Sequence, residues 1–271
     1  MGAAMIVFAA ALTVQQLANE SFDRRLAAAD PTNGVARFSD YPRGADKDKF
    51  TPNPKFWGKG IDFSCASPWN SASGLFRAGT LISKRHFVCA NHYGMPKGTR
   101  IVFVDGDGVV CPCVVKDTRK VGKTDIMVGL LDYEVTPNIH PAKVLPVDYE
   151  KHIGDGQGLP LVTFDQKERV FVSDLNELPG ERVKSVPILK PKAELRGRFH
   201  HELVKGDSGN PAFLIIGNEP ILLYCIRCGG LGYGPWIHRN RNAVQQVMDE
   251  LCPGYKLEEF DFEKVRRDDG K

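Results

Sequence analysis

The sequence predicts an all-β protein made of two antiparallel β units and a C-terminal helix. Short apolar runs recur along the chain, and turn-forming residues separate them. Glycine (27) and proline (18) are plentiful among the 271 residues, as expected of many short strands and turns. The clearest helical period lies near the C-terminal end, in residues 242–251. A chain of this length can form two modest domains or one large all-β unit.

The first β unit begins near Gly60, with about six short strands in roughly 75 residues, which is typical of a β-barrel or β-sandwich. Within it, Asp105-Gly106-Asp107-Gly108 predicts a hairpin turn, because Asp-Gly favours positive φ. The same motif lacks the rest of a calcium-binding loop. Five of these strands have predicted bounds: 75–83, 86–90, 99–104, 109–116 and 125–131.

A stretch with three prolines, 136–146, is interpreted as the interdomain linker. The second β unit follows it and ends in the predicted helix, 242–251. Asn242 is expected to cap this helix, and Pro253-Gly254 is expected to end it. The strands predicted in the second unit are 159–164, 169–173, 182–189, 212–216 and 221–227.

The chain ends are expected to lie outside the β units. Residues 3–14 form an apolar run of twelve, typical of a secretory signal peptide, although no Lys or Arg precedes it. This run favours a secreted or periplasmic protein; the alternative is a buried N-terminal helix. The predicted parts are a candidate signal peptide (1–18), an N-terminal arm or leader (19–58), two β units (59–140 and 141–252) and a charged, poorly ordered tail (253–271).

Composition restricts the class of partner. The net charge of +3 is too small to indicate nucleic acid as the main partner. The sequence has no run of 18 or more apolar residues, so it predicts no mature membrane-spanning segment.

The seven cysteines leave at least one thiol unpaired within the chain. Cys111 with Cys113, and Cys225 with Cys228, supply the ligand type of a structural zinc site. The two pairs fall in different predicted β units, so small buried cysteines or a local Cys225–Cys228 disulfide are favoured. No metal and no cofactor is expected.

One stretch, Lys205-Gly206-Asp207-Ser208-Gly209-Asn210-Pro211, predicts a reactive serine. Its two glycines permit sharp backbone turns. Such turns can direct successive N–H groups into one concavity that binds negative charge. A hydroxyl beside such donors is what acyl transfer needs. Taken alone, the stretch also fits a glycine-rich surface loop.

Two upstream residues complete a chemical constellation with Ser208. His92 follows an apolar strand, and Asp125 opens another. A serine hydroxyl is a poor nucleophile without a base, and histidine can exchange a proton near neutral pH. The imidazolium so formed needs a negative partner that also fixes its tautomer. The order His, Asp, Ser and the sequence Gly-Asp-Ser-Gly-Asn exclude an α/β-hydrolase, which has the order Ser, acid, His and a G-x-S-x-G elbow.

With these residues in this order, the chain resembles the chymotrypsin/trypsin-like serine peptidases over residues 60–252. The resemblance implies two perpendicular six-stranded antiparallel β-barrels, with the site in the crevice between them. It implies a serine endopeptidase with a polypeptide substrate, in which His92 is the general base, Asp125 orients it and Ser208 is the nucleophile. The backbone N–H groups of Gly206 and Ser208 would form the oxyanion hole. The matching motifs are Gly79-Thr80-Leu81-Ile82-Ser83, Ala90-Asn91-His92, Thr124-Asp125-Ile126 and residues 206–211.

Several departures indicate a bacterial or viral type of member. Tyr93 follows the histidine where animal members have a cysteine, and Asn210 replaces the usual third glycine. No activation-site sequence precedes the first β unit, so activation by a newly cut N-terminus is not expected. A catalytically silent homologue acting as a protein-binding module is the alternative from another functional class.

Specificity stays open between two interpretations. Glu202, six residues before Ser208, is placed by the resemblance near the base of the primary specificity pocket, where it would favour Arg or Lys. Alternatively Arg227, together with the histidines at 200 and 201, would favour acidic or other residues. The resemblance also places Gly229 and Gly230 along the substrate backbone.

Overall fold

The computed structural model describes residues 13–40, 49–68, 77–176, 178, 188–227 and 233–268. About 30% of the residues lie in strands and 20% in helices, so the fold is mostly β rather than all-β. Its antiparallel sheets include a curled half-barrel.

The N-terminal arm begins with a helix that packs on the second β unit. Helix α1 (Val14–Ala27) starts with a capping box, in which Thr13 and Gln16 exchange side-chain-to-amide hydrogen bonds. The predicted signal segment 1–18 ends inside this helix, where Val14 and Ala18 are buried; residues 1–12 lie outside the described residues. Removal of the segment stays a prediction. After α1 the arm forms a small antiparallel sheet of β1 (Phe38–Asp40) and β2 (Thr51–Pro52).

The first β unit is a five-stranded antiparallel sheet in the order β3-β4-β7-β6-β5. Its strands are β3 (Thr80–Leu81), β4 (His86–Ala90), β5 (Arg100–Val104), β6 (Val110–Lys120) and β7 (Ile126–Leu131). The first part of β6 pairs with β5 and the second with β7, and the register shifts between Val115 and Asp117. Such a shift bends a strand and lets the sheet curl.

The second β unit is also a five-stranded antiparallel sheet, in the order β10-β9-β8-β11-β12. The linker residues touch both sheets, since the Ala142 amide donates to the Leu81 carbonyl and the Leu222 amide donates to the Lys143 carbonyl. The elements are α2 (Glu150–Ile153), β8 (Pro160–Phe164), β9 (Val170–Leu175), β10 (Ile188–Leu189), α3 (Glu194–Gly197), β11 (Pro211–Ile216) and β12 (Glu219–Cys225).

The predicted strands are confirmed wherever the structure describes them, with ends shifted by a few residues. Two agree least: 75–83 is strand only at Thr80–Leu81 although the structure describes 77–83, and of 182–189 only Ile188–Leu189 is described, as a strand. Residues 75–76 and 182–187 lie outside the described residues. Each sheet thus has five strands in the described part of the chain, where the resemblance implies six per barrel.

Aromatic side chains join the arm to both sheets in one buried cluster. Phe63, five residues after the arm, packs edge-on against Phe164 of β8, with ring centroids 5.2 Å apart. Its ring centroid is also 6.0 Å from that of Phe213 in β11. Phe87 of β4 lies in the same cluster, so the two sheets share a core.

A buried arginine fixes α1 to the second sheet. Arg196 of α3 donates to Asp23 of α1 at 2.6 Å and to Asp174 of β9 at 2.9 Å. It also donates to the Asn19 side chain and to the Gly158 carbonyl. Each nitrogen of the Arg196 guanidinium is therefore hydrogen-bonded, which burial of its charge requires.

The C-terminal helix α4 (Ile237–Leu251) begins five residues before the predicted start, so the expected cap at Asn242 is wrong. Trp236 holds the N-cap position, and it is buried together with Ile237. Burial of these two apolar side chains stabilises a helix start that lies before the predicted one. Cys252 and Pro253 follow the last turn, close to the predicted end.

The tail was predicted to be poorly ordered, and for residues 253–268 this is wrong. Phe260 and Phe262 are buried, and the Phe260 amide donates to the Val144 carbonyl at 2.9 Å. Helix α5 (Phe262–Asp268) follows. Two aromatic side chains in a charged segment suffice to anchor it, because each removes a large apolar area from water.

Within the described residues, no helix is both long and apolar enough to cross a membrane. The six described cysteines are free thiols, and Cys228 lies outside the described residues. Over the same part of the chain, no group of three or more His, Cys, Asp or Glu side chains could hold a metal ion.

Candidate active site

Ser208 is the second residue of the second of two consecutive tight turns that precede β11. The Asp207 amide donates to the Val204 carbonyl at 3.2 Å, and the Asn210 amide donates to the Asp207 carbonyl at 3.2 Å. Each turn has glycine as its third residue. The chain therefore reverses direction twice around the serine, which is 8% exposed.

The two glycines are required by backbone angle and by space. Gly206 has φ +104° and Gly209 has φ +93°, the positive values that a type II turn needs at its third residue. A Cβ on Gly209 would lie 3.2 Å from the Ala78 carbonyl oxygen, just before β3. The serine turn can therefore approach the first sheet closely only because this residue has no side chain.

The carboxylate of Asp207 lies beneath these turns and is 1% exposed. Its Oδ2 accepts a hydrogen bond from the Val204 amide at 2.8 Å, and its Oδ1 accepts one from Gln166 Nε2 at 3.2 Å. Burial raises the pKa of Asp207, and the hydrogen bond from Val204 acts in the opposite direction. Gln166 was missed from the sequence, because it belongs to another strand pair, in the turn between β8 and β9.

His92 and Asp125 are brought together by strand pairing. Strand β4 pairs with β7 so that Ala90 faces Ile126. The residues just beyond that pair continue the contact, since the Asn91 amide donates to the Asp125 carbonyl at 2.7 Å. A 3₁₀ turn, Asn91–Tyr93, then directs the His92 ring away from the sheet.

The imidazole of His92 bridges Asp125 and Ser208. Its Nδ1 lies 2.7 Å from Asp125 Oδ2, and its Nε2 lies 3.1 Å from Ser208 Oγ. The second carboxylate oxygen, Oδ1, accepts the His92 backbone amide at 2.9 Å. A carboxylate facing Nδ1 favours the tautomer with hydrogen on that nitrogen, which leaves Nε2 as an acceptor. The arrangement can thus remove a proton from the serine hydroxyl.

Burial of this group is graded. The side chain of Asp125 is 13% exposed and that of His92 is 44% exposed. The carboxylate is therefore shielded from water, while the ring edge stays accessible from outside. A molecule approaching from solvent therefore meets the histidine ring before the aspartate.

Arg227 reaches the same group from the end of β12. Its carbonyl oxygen accepts a hydrogen bond from Ser208 Oγ at 3.0 Å. Its Nε lies 3.8 Å from Asp125 Oδ2, and the side chain is 57% exposed. Because a hydroxyl has one hydrogen, Ser208 donates either to this carbonyl or to His92 Nε2, but not to both at once.

The other predicted specificity residues are not gathered around the serine in the same way. Glu202 is exposed, and no hydrogen bond or ion pair between described residues joins it to His92, Asp125 or Ser208. The His200 ring contacts the Val172 carbonyl of β9 at 3.0 Å. The neighbouring His201 ring packs on Phe171, with centroids 4.7 Å apart. Gly229 and Gly230 lie outside the described residues.

A cavity of about 600 Å³ lies elsewhere, between the arm and the turn that joins β5 to β6. Arg37, Phe56 and Asp105 are among its lining residues. None of His92, Asp125 and Ser208 lines it.

Comparison with known proteins finds no family model and no curated protein that matches this chain.

Proposed function

We propose that this protein is a serine endopeptidase that hydrolyses peptide bonds through an acyl-enzyme on Ser208. One observation carries the proposal: the His92 ring lies 2.7 Å from Asp125 through Nδ1 and 3.1 Å from Ser208 through Nε2. A nucleophile, a base and a group that orients the base are thereby in hydrogen-bond contact in a single chain. Sequence order and turn glycines support a chymotrypsin/trypsin-like peptidase.

In the first half of the reaction, His92 Nε2 takes the hydroxyl proton as Ser208 Oγ attacks the substrate carbonyl carbon. The carbonyl π electrons move to its oxygen, which becomes an oxyanion. Asp125 stabilises the imidazolium that forms on the ring. His92 then returns the proton to the departing amine, the C–N bond breaks, and the acyl group remains on Ser208.

In the second half, a water molecule takes the place of the amine. His92 accepts a proton from this water as its oxygen attacks the ester carbon. Collapse of the second tetrahedral species breaks the bond to Ser208 Oγ, which recovers its proton from the ring. The free enzyme and a carboxylic acid product result, so atoms and protons balance.

The oxyanion requires fixed donors, and the proposed ones are the backbone N–H groups of Gly206 and Ser208. The positive φ of Gly206 supports this, because such a turn can direct alternate amides to one side. Each donor of this kind contributes about 10²–10³-fold to the rate in comparable sites.

The finer architecture belongs to the same proposal. Two antiparallel sheets, with His92 and Asp125 on the first and Ser208 on the second, support two six-stranded barrels facing one another across the site.

Proposed substrate contacts are Glu202, Arg227, Gly229 and Gly230. Of the two charged residues, the proximity of Arg227 to Ser208 favours acidic substrates over basic ones. A secreted or periplasmic location stays part of the proposal through the apolar run at residues 3–14.

The test is covalent labelling of the full chain with a fluorophosphonate, followed by peptide mapping. We expect one adduct per molecule, on Ser208. Ser208→Ala should abolish it and His92→Ala should suppress it, because the hydroxyl then lacks its base. Ser39→Ala is the matched control, since Ser39 is an exposed serine of the arm and should leave labelling unchanged.

The outcomes separate two functional classes. Ser208 labelling together with cleavage of a peptide library establishes the peptidase. A folded chain that is neither labelled nor able to cleave any peptide rejects it in favour of a binding module of the same fold.

A further inference from the structure

We propose that Gln166 is a positioning residue that holds the Ser208 turn in its reactive shape; this rests on the proposed function. The Gln166 side-chain amide donates to the Lys205 carbonyl at 3.0 Å and to Asp207 Oδ1 at 3.2 Å. Both bonds come from Nε2, so both hydrogens of this nitrogen are used. One side chain thus ties the residues on either side of Gly206.

The contact with Gly206 itself is equally close. A Cβ on Gly206 would lie 2.5 Å from Gln166 Nε2. The amide therefore lies directly against the Cα of the residue proposed to supply one oxyanion donor. Removing the amide would free the peptide planes on both sides of Gly206 to rotate, and the aim of the donor depends on those planes.

The residue is presented by a rigid hairpin turn. Asp165 is buried, and its Oδ1 accepts the amides of Lys167 and Arg169 at 2.8 and 2.9 Å. Its Oδ2 receives two bonds from the Arg169 guanidinium. Glu168 has φ +58°, as in a turn closed by a left-handed residue.

The arm secures this turn from behind. The Arg37 amide donates to the Glu168 carbonyl at 2.9 Å, and the Arg37 guanidinium lies 3.8 Å from the Glu168 carboxylate. Both residues are buried. Gln166 therefore projects from a fixed support and can impose its position on the serine turn, rather than adapting to it.

Charge explains why a carboxylate would not serve in place of the amide. Gln166 faces two acceptors, a carbonyl and a buried carboxylate, and the neighbouring Asp165 adds a second negative charge. A neutral amide supplies two donors here without the repulsion that a negatively charged side chain would add. A carboxylate in its place would repel Asp207 whenever both are ionised.

The test compares Gln166→Met, which keeps the size without donors, with Gln166→Glu, which replaces donors by a carboxyl group. The measured quantity is the fluorophosphonate labelling rate of Ser208 from pH 5 to 8.5, divided by the wild-type rate at each pH. For Met we expect a loss of about 10- to 100-fold that does not vary with pH. For Glu we expect the loss to deepen as pH rises, because the shared proton between the two carboxyl groups is lost.

Two further variants make the result specific. Gln157→Glu makes the same chemical change at an exposed glutamine before β8, and its ratio should stay near one at every pH. In the double variant Gln166→Glu with Asp207→Asn, the donor is on residue 207 and the acceptor on residue 166. The labelling ratio of this variant should vary less with pH than that of Gln166→Glu alone. A role in packing alone would give Met and Glu losses that do not depend on pH.

Wild-type rates for Gln166→Met, or a Gln166→Glu ratio that does not vary with pH, overturn this inference. If Gln166→Glu does not fold, the Met variant decides alone: slow labelling at an unchanged melting temperature supports the role, and wild-type labelling rejects it. The proposed function fails separately, since it fails only if the folded wild-type chain is neither labelled at Ser208 nor able to cleave any peptide.

Discussion

Replacement of Asp125 by Asn should disable the serine through the histidine tautomer. The carboxylate accepts two hydrogen bonds from His92, from the backbone amide to Oδ1 at 2.9 Å and from ring Nδ1 to Oδ2 at 2.7 Å. An Asn side chain that keeps its oxygen on the backbone amide must turn its NH₂ toward Nδ1. The ring then carries its hydrogen on Nε2, and Ser208 faces a donor instead of a base.

The magnitude follows from losing the base while keeping the rest of the site. We expect acylation to fall about 10³- to 10⁴-fold, which corresponds to roughly 4–5.5 kcal/mol of transition-state stabilisation. The side chain is 13% exposed and the replacement has the same shape, so the fold should persist.

The assay is the fluorophosphonate labelling rate of Ser208, together with kcat and KM for any peptide that the wild type cleaves. The loss should lie in kcat, because substrate binding does not use the tautomer. Asp117→Asn, at an exposed position of β6, is the control and should label at the wild-type rate. Labelling of Asp125→Asn within threefold of wild type would refute the assigned role of this carboxylate.

Three stability predictions follow from the fold. Gly209→Ala should lower the free energy of unfolding by about 2–3 kcal/mol and Gly217→Ala by about 1 kcal/mol, as measured by urea denaturation. Both glycines have positive φ, but only a Cβ at position 209 would meet a carbonyl oxygen. Equal losses would show that this close approach does not contribute to stability. Arg196→Ala should cost about 3–5 kcal/mol in the same assay, since it leaves two aspartates without their buried partner, whereas the exposed Arg198→Ala should cost under about 0.5 kcal/mol. Burial lowers the pKa of His86 to about 4, so protonation favours the unfolded chain. The free energy of unfolding should therefore fall by about 3 kcal/mol as pH drops from 6.5 to 4. His86→Gln should lose less over that window, and the same pH dependence in both proteins would refute the role of His86.

Local patterns predicted the elements whose cause is local. Strand β4 was predicted with its observed bounds, because an apolar run between turn residues has few alternatives. His92, Asp125 and Ser208 were also selected from the sequence, since each stands in a short motif and their order is informative, and their side chains lie in hydrogen-bond contact. The contact between Ser208 and the first sheet could not be derived that way, because it depends on how two sheets pack.

Features that depend on distant contacts were missed or misplaced. Helix α4 starts at Ile237 because Trp236 and Ile237 are buried, and no periodic pattern shows this. Phe260 was hidden in a charged segment, where composition favours disorder. Gln166 gave no sequence signal at all, since its partners lie about 40 residues further along the chain.

The hydrogen bond between His92 and Ser208 depends on how the two sheets are aligned. One partner follows β4 and the other precedes β11, and their atoms are 3.1 Å apart. A displacement of about 1 Å between the sheets would take this pair beyond hydrogen-bond range. The proposed chemistry is thus coupled to the aromatic packing around Phe63, in the core that the two sheets share. A ligand or substitution that loosens this packing should reduce the reactivity of Ser208 before the protein unfolds.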